Sequence, residues 1–195
     1  MQDGQTGIVR QMAALAALLL ATGGVAAQEA GEHPARGAYG FASVGAAQNV
    51  SEPGFVTCRC REDTATGGKV GGGYRFGVPA VEAFWVDFGS ARFGADGFGP
   101  ATDAHVRGLV IAAAWSGRYG RYFELTGRAG AAYLETSASG QATARDWRPL
   151  LGGALGWRLN EAVTAELTLD LTWARDAADT LIEEHLLGLG LRYKF

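Results

Sequence analysis

Cysteine, histidine and charge are all scarce in this chain of 195 residues. There are two cysteines and three histidines. Cys58 and Cys60 form one spacing with no second pair, which excludes both a disulfide framework and a four-ligand zinc site. Charged residues make up 19% of the chain, below the usual value of about 25%. The formal net charge of −3 gives no electrostatic ground to expect nucleic acid as a partner. Long apolar runs are missing everywhere but the N-terminus, and a mean hydropathy of +0.02 excludes a helical membrane protein. Disorder is excluded as well, because 48% of the residues are hydrophobic. Glycine, by contrast, is abundant, at 30 residues, about twice the usual share. The length corresponds to about one domain.

The single apolar run has the form of a secretory leader. Arg10 precedes Met12 to Ala21, and small residues follow, with Val25 and Ala27 at the −3 and −1 positions of a cleavage site. The run is shorter than the roughly 20 residues a spanning helix needs. No cysteine follows it closely, which argues against a lipid-anchored product. The expected organisation is a signal peptide at 1–27, a short segment at 28–36 and one exported domain at 37–195.

Beyond the leader the recurring signal is alternation, the mark of strands. Leu187, Leu189, Leu191, Tyr193 and Phe195 share one face, and Leu186, Gly188, Gly190, Arg192 and Lys194 the other. Leu167, Leu169, Leu171 and Trp173 oppose Glu166, Thr168, Asp170 and Thr172. Similar patterns run through about 69–76, 80–89, 109–116, 123–133 and 151–159. The stretch 37–47 is small on both faces, so pattern does not assign them. Short connections near 77–79, 117–120 and 159–161 alternate with long ones near 48–66, 90–104, 135–147 and 175–182. This predicts an all-β fold: an eight-stranded antiparallel up-and-down transmembrane β-barrel.

The faces decide between lipid and water. A soluble ligand-binding barrel turns its apolar face inward. Here one face carries Leu, Ile, Trp, Tyr and Phe with almost no charge, which lipid tolerates and water does not. A Lys or Arg on that face at mid-bilayer would cost about 2–4 kcal/mol. Asp87 is the exception, at the far end of its strand. Two aromatic belts are expected: Phe76, Trp115, Phe123, Trp157, Tyr193 and Phe195 at the periplasmic rim, and Trp85, Tyr133 and Trp173 at the outer rim.

Three stretches resemble the OmpA-type transmembrane barrels of Gram-negative outer membranes: Cys60 to Phe76 (CREDTATGGKVGGGYRF), Ala80 to Gly89 (AVEAFWVDFG) and the terminal GLGLRYKF. The resemblance covers nearly all of 37–195. It implies an outer-membrane location and contact with outer-membrane lipids and lipopolysaccharide. It also implies passage through periplasmic chaperones and the barrel assembly machinery, with Tyr193 and Phe195 as the assembly signal, and a monomer as product. No cofactor follows from it, and the peptidoglycan-binding domain of OmpA itself is not carried over.

The other face supplies the candidate chemistry. Lys69, Arg75, Glu82, Glu124, Arg128, Arg158, Glu166, Asp170 and Arg192 should point into the lumen. Charges there must be paired or hydrated. Glu82 matches the interior Glu of OmpA-like barrels, which supports a gate over a narrow low-conductance pore. The bland alternative, a static plug, is favoured because an eight-stranded interior is normally filled by side chains. A membrane-integrity role with interacting surface loops is therefore the leading expectation. Cys58 and Cys60 are either a strained disulfide, two free thiols, a mixed disulfide or a weak metal contact. A lipid A-modifying enzyme would need a rim histidine beside a nucleophile. His105 and His185 fall near the outer rim without a His-x-Ser arrangement, and His33 precedes the barrel, so no enzyme is expected. Loop charges (Arg59, Arg61, Glu62, Asp63, Asp96, Asp103, Arg145, Asp146, Arg175, Asp176 and Asp179) suit phosphates and bridging divalent ions, or are simply solvated.

Overall fold

The computed structural model describes residues 36–51, 64–93, 102–138, 143–175 and 181–195. They form eight strands: β1 Gly37–Ser51, β2 Thr64–Arg75, β3 Pro79–Phe93, β4 Thr102–Tyr119, β5 Phe123–Ala138, β6 Ala144–Arg158, β7 Val163–Arg175 and β8 Leu181–Lys194. Each pairs antiparallel with its chain neighbour, and β1 pairs with β8 to close the barrel. Closure matters in lipid, because a bilayer offers no water to an unpaired strand edge. The leader, Cys58, Cys60 and His33 lie outside the described residues, as do Arg59, Arg61, Glu62, Asp63, Asp96, Asp176 and Asp179.

The alternation read from the sequence becomes the two sides of the wall. Leu109, Ile111, Leu155, Leu167, Leu169, Leu187, Leu189 and Leu191 all face outward and are exposed. Both belts form on the expected side of the wall. The outer one also contains Trp147, whose ring lies 5.2 Å from that of Tyr133. The stretch expected to be the 135–147 loop is largely strand, because β5 and β6 keep pairing up to Thr136↔Ala144. Arg145 and Asp146 therefore belong to β6 and not to a loop; Asp103 and Arg175 likewise fall within β4 and β7.

β1 settles its own ambiguity through its neighbours. Tyr39 and Phe41 point inward, while Ala38, Ala42 and Val44 face out. Room for them comes from β2. A Cβ at Gly73 would lie 2.8 Å from the Tyr39 hydroxyl, and Gly71, opposite Phe41 in the ladder, leaves the space that Phe84 occupies, where a Cβ would lie 2.2 Å from Phe84 Cβ. At the end with the short turns, the Asn160 side chain accepts hydrogen bonds from the Ala162 and Val163 amides at 2.9 and 2.8 Å, which fastens the β6–β7 turn. At the outer end, β3 bulges between Asp87 and Ser90. Gly89 takes a positive φ of 75° there, and its amide donates to Asp87 Oδ1 at 2.7 Å.

Candidate functional site

The lumen is filled in two layers. The lower layer, nearer the short turns, contains eight of the nine residues expected to line the interior, all buried. Four are cations (Lys69, Arg75, Arg128 and Arg192) and four are acids (Glu82, Glu124, Glu166 and Asp170). Period-two alternation aims each inward, and barrel closure brings together residues far apart in the chain, such as Lys69 and Asp170.

The pairs form two sets that meet at the Tyr39 ring, which lies 5.4 Å from the Arg75 guanidinium and 5.6 Å from that of Arg192. Lys69 Nζ bonds the Asp170 carboxylate. Arg128 lies between two acids, with Nη1 at 3.2 Å from Asp170 Oδ1 and Nε at 3.2 Å from Glu82 Oε2. The Tyr39 hydroxyl donates to Glu82 Oε1 at 2.7 Å. Below this, Glu124 Oε1 holds Arg75 Nη2 at 2.8 Å and Arg192 Nη2 at 2.7 Å. Arg192 Nη2 also meets Glu166 Oε1 at 2.9 Å. Arg75 additionally donates to Ser116 Oγ at 3.1 Å, and Ser116 bonds Thr126. Four charges of each sign make the layer neutral, which is the condition under which buried ions are tolerated. Space again comes from glycine: a Cβ at Gly152 would lie 2.4 Å from Asp170 Oδ1.

Arg158 departs from the expectation. It sits below the network at the mouth nearer the short turns, half-buried, because β6 reaches that level only at its last residue. Sequence reasoning missed Tyr39 and Ser116 as network members. Tyr39 could not be found because the β1 faces were unassigned. Alternation along β4 turns Ser116 inward, but nothing in its local sequence marks it as a partner of Arg75.

The upper layer is mostly hydrocarbon, with Thr136, Thr172 and the carboxyl of Glu184 buried among it. Phe84, Phe88, Leu150 and Leu186 are each no more than 1% exposed. Val86, Val106, Val110 and Leu134 complete the layer. Phe41 and Phe84 form the boundary, with Arg128 above their rings at 5.6 and 5.7 Å and Lys69 5.6 Å from Phe84. Such contacts let a desolvated cation rest against an apolar layer.

Outside the barrel, the outer rim carries a row in register across four strands: Asp87↔Arg107, Arg107↔Glu135 and Glu135↔Arg145. Glu135 accepts from Arg107 at 3.2 Å and from Arg145 Nε at 3.0 Å. These hydrogen bonds, first from Arg107 and then from Arg145, hold its carboxyl below the usual range. The row lies one pleat beyond Trp85, Leu109, Tyr133 and Trp147 along their strands. His105 Nε2 is 2.8 Å from Asp87 Oδ1, and Ser90 faces His105 across the ladder. No Ser90–His105 hydrogen bond forms among the described residues. His185 lies near Glu183, at 3.9 Å.

No family model and no curated protein matches the chain. Solved structures do match. Neisserial surface protein A aligns with a TM-score of 0.61 at 14% identity, over 81% of this chain and 97% of that one. OprG of Pseudomonas aeruginosa aligns at 0.52 with 12% identity, over 82% and 98%. The N-terminal barrel domain of Pseudomonas aeruginosa OprF aligns at 0.51 with 14% identity, over 83% and 100%. The chain thus has the eight-stranded fold of outer-membrane barrels.

Proposed function

We propose that this protein is a closed outer-membrane barrel of Gram-negative cells. It contributes to envelope integrity and presents its outer rim and loops for interaction, without catalysis. The observation that carries the reading is the two-layer filling of the lumen. A conducting path would have to separate a neutral set of eight charges and also displace Phe84, Phe88, Leu150 and Leu186. The first barrier is ionic, the second steric and apolar, and no single side-chain rotation removes both.

The outer location is supported by the lipid-compatible wall, the two aromatic belts and the shared fold. Contact with lipopolysaccharide phosphates is supported by Arg107 and Arg145, whose guanidiniums stand exposed just above the outer belt. Assembly through the terminal Tyr193 and Phe195 belongs to the same reading.

Planar-bilayer conductance of the refolded mature chain tests it, with folding confirmed first by a heat-sensitive gel shift. Wild type, Glu82→Ala and the double variant Phe84→Ala/Phe88→Ala should all be folded, with no discrete channels in wild type or Glu82→Ala. Discrete channels in wild type that change with Glu82→Ala would replace the closed barrel by a gated narrow pore.

A further inference from the structure

The charge balance that holds in the lower lumen fails at its periplasmic mouth. A small polar pocket opens there between the ends of β1, β2, β4, β6 and β8. Its walls carry five cations, Arg75, Arg118, Arg158, Arg192 and Lys194, against Glu124 and Glu161. Glu124 is already shared by Arg75 and Arg192, and it faces Arg118 across the β4–β5 ladder. Counting Glu166, which Arg192 also bonds, the mouth still has more positive than negative charge.

A second observation points the same way. The Arg75 side chain is nine-tenths buried, yet its Nε has no hydrogen-bond partner among the described residues. A buried guanidinium N–H without an acceptor is costly. An excess of partly desolvated cations likewise favours an added anion.

We infer that the periplasmic mouth is a binding site for a small oxyanion, of the phosphate or carboxylate class. Guanidiniums suit this ligand because their planar N–H forks match its oxygens. The pocket space of about 40 Å³ limits the ligand's size. It is far below the roughly 300 Å³ of sites for larger organic molecules. The anion would neutralise the mouth from the periplasmic side and leave the network above it untouched. The inference does not depend on whether the lumen conducts.

The test is a titration of the folded mature chain in phosphatidylcholine nanodiscs with inorganic phosphate, read from arginine Nε–H resonances. A parallel sample in phosphatidylglycerol nanodiscs without free phosphate asks whether a lipid headgroup fills the same place. The comparison variant is Arg158→Gln/Lys194→Gln, since neither residue belongs to the ion network. Saturable shifts of the Arg75 and Arg158 signals are expected. Phosphate should bind about 10- to 100-fold more weakly to the double variant, as loss of charge-assisted hydrogen bonds implies. The same shifts with phosphatidylglycerol alone would identify a headgroup phosphate as the source and support the site equally. Absence of saturable shifts in both samples, or equal affinity in the double variant, would overturn the proposal.

Discussion

On one side of the rings of Phe41 and Phe84 the lumen holds eight paired charges, and on the other mainly valine, leucine and phenylalanine, with Glu184 as the one ionisable side chain among the buried residues described there. Both layers are buried to a similar degree, yet they hold the barrel in different ways. The charged layer works only as a set. Arg128 stands between Glu82 and Asp170, so its loss strands two carboxylates. The apolar layer requires only volume and shape, and a neighbour of similar size can substitute. The ionic layer therefore tolerates single substitutions poorly, while the apolar layer tolerates those that keep volume.

The largest effect should come from breaking the ionic set. Arg128→Met should destabilise the folded barrel by about 3–5 kcal/mol, because uncompensated buried charge is left behind. Urea unfolding in lipid vesicles followed by tryptophan fluorescence measures this. A loss no greater than that of a surface substitution would mean that water already relieves the network.

The matching cut in the apolar layer is Leu186→Ala, with an expected loss of about 2–5 kcal/mol from transfer and cavity terms. Leu186→Met should cost less than about 1.5 kcal/mol. A similarly mild result for a size-matched Arg128 replacement would erase the distinction between layers.

The wall offers a third contrast. Leu189→Arg faces lipid and should impair vesicle insertion by about 2–4 kcal/mol if it lies near mid-bilayer. Thr168→Arg points into the lumen and should impair insertion less. Equal insertion of both would refute the assignment of faces.

The smallest effect concerns the outer rim. The Glu135 carboxyl, hydrogen-bonded by Arg107 and Arg145, should titrate below the ordinary value for Glu. A depressed folded value means its contribution is present at neutral pH and is lost as pH falls through that value. Carbon-detected titration should show this, and Arg107→Gln should move the midpoint back up. An unshifted midpoint in the wild type would mean that the rim pairs are solvated and weak.

How much of this was legible follows from what alternation can and cannot say. On β8, Leu187 to Phe195 had to share a face because successive side chains in a strand point to opposite sides. The same rule placed Phe84, Val110 and Leu186 inside beside the charges. On β1, glycine and alanine on both faces left no contrast to read. Only the pairing with β2, which sets Tyr39 opposite Gly73 and Phe41 opposite Gly71, decided it. The Glu135–Arg145 contact was hidden for a different reason: pairing continued past the point where apolar alternation stops, since the rim is polar on both sides.

The residue pattern by itself therefore determined the strands, the lipid face and, on every strand but β1, which face enters the lumen, because these follow from local backbone geometry and the cost of charge in lipid. The tertiary structure alone decided the heights and the partners. It put Lys69 on Asp170, raised the hydrocarbon layer above the ions and lowered Arg158 to the mouth. Those choices depend on how all eight strands are staggered when β1 meets β8, and closure of the ring is a property of no single segment.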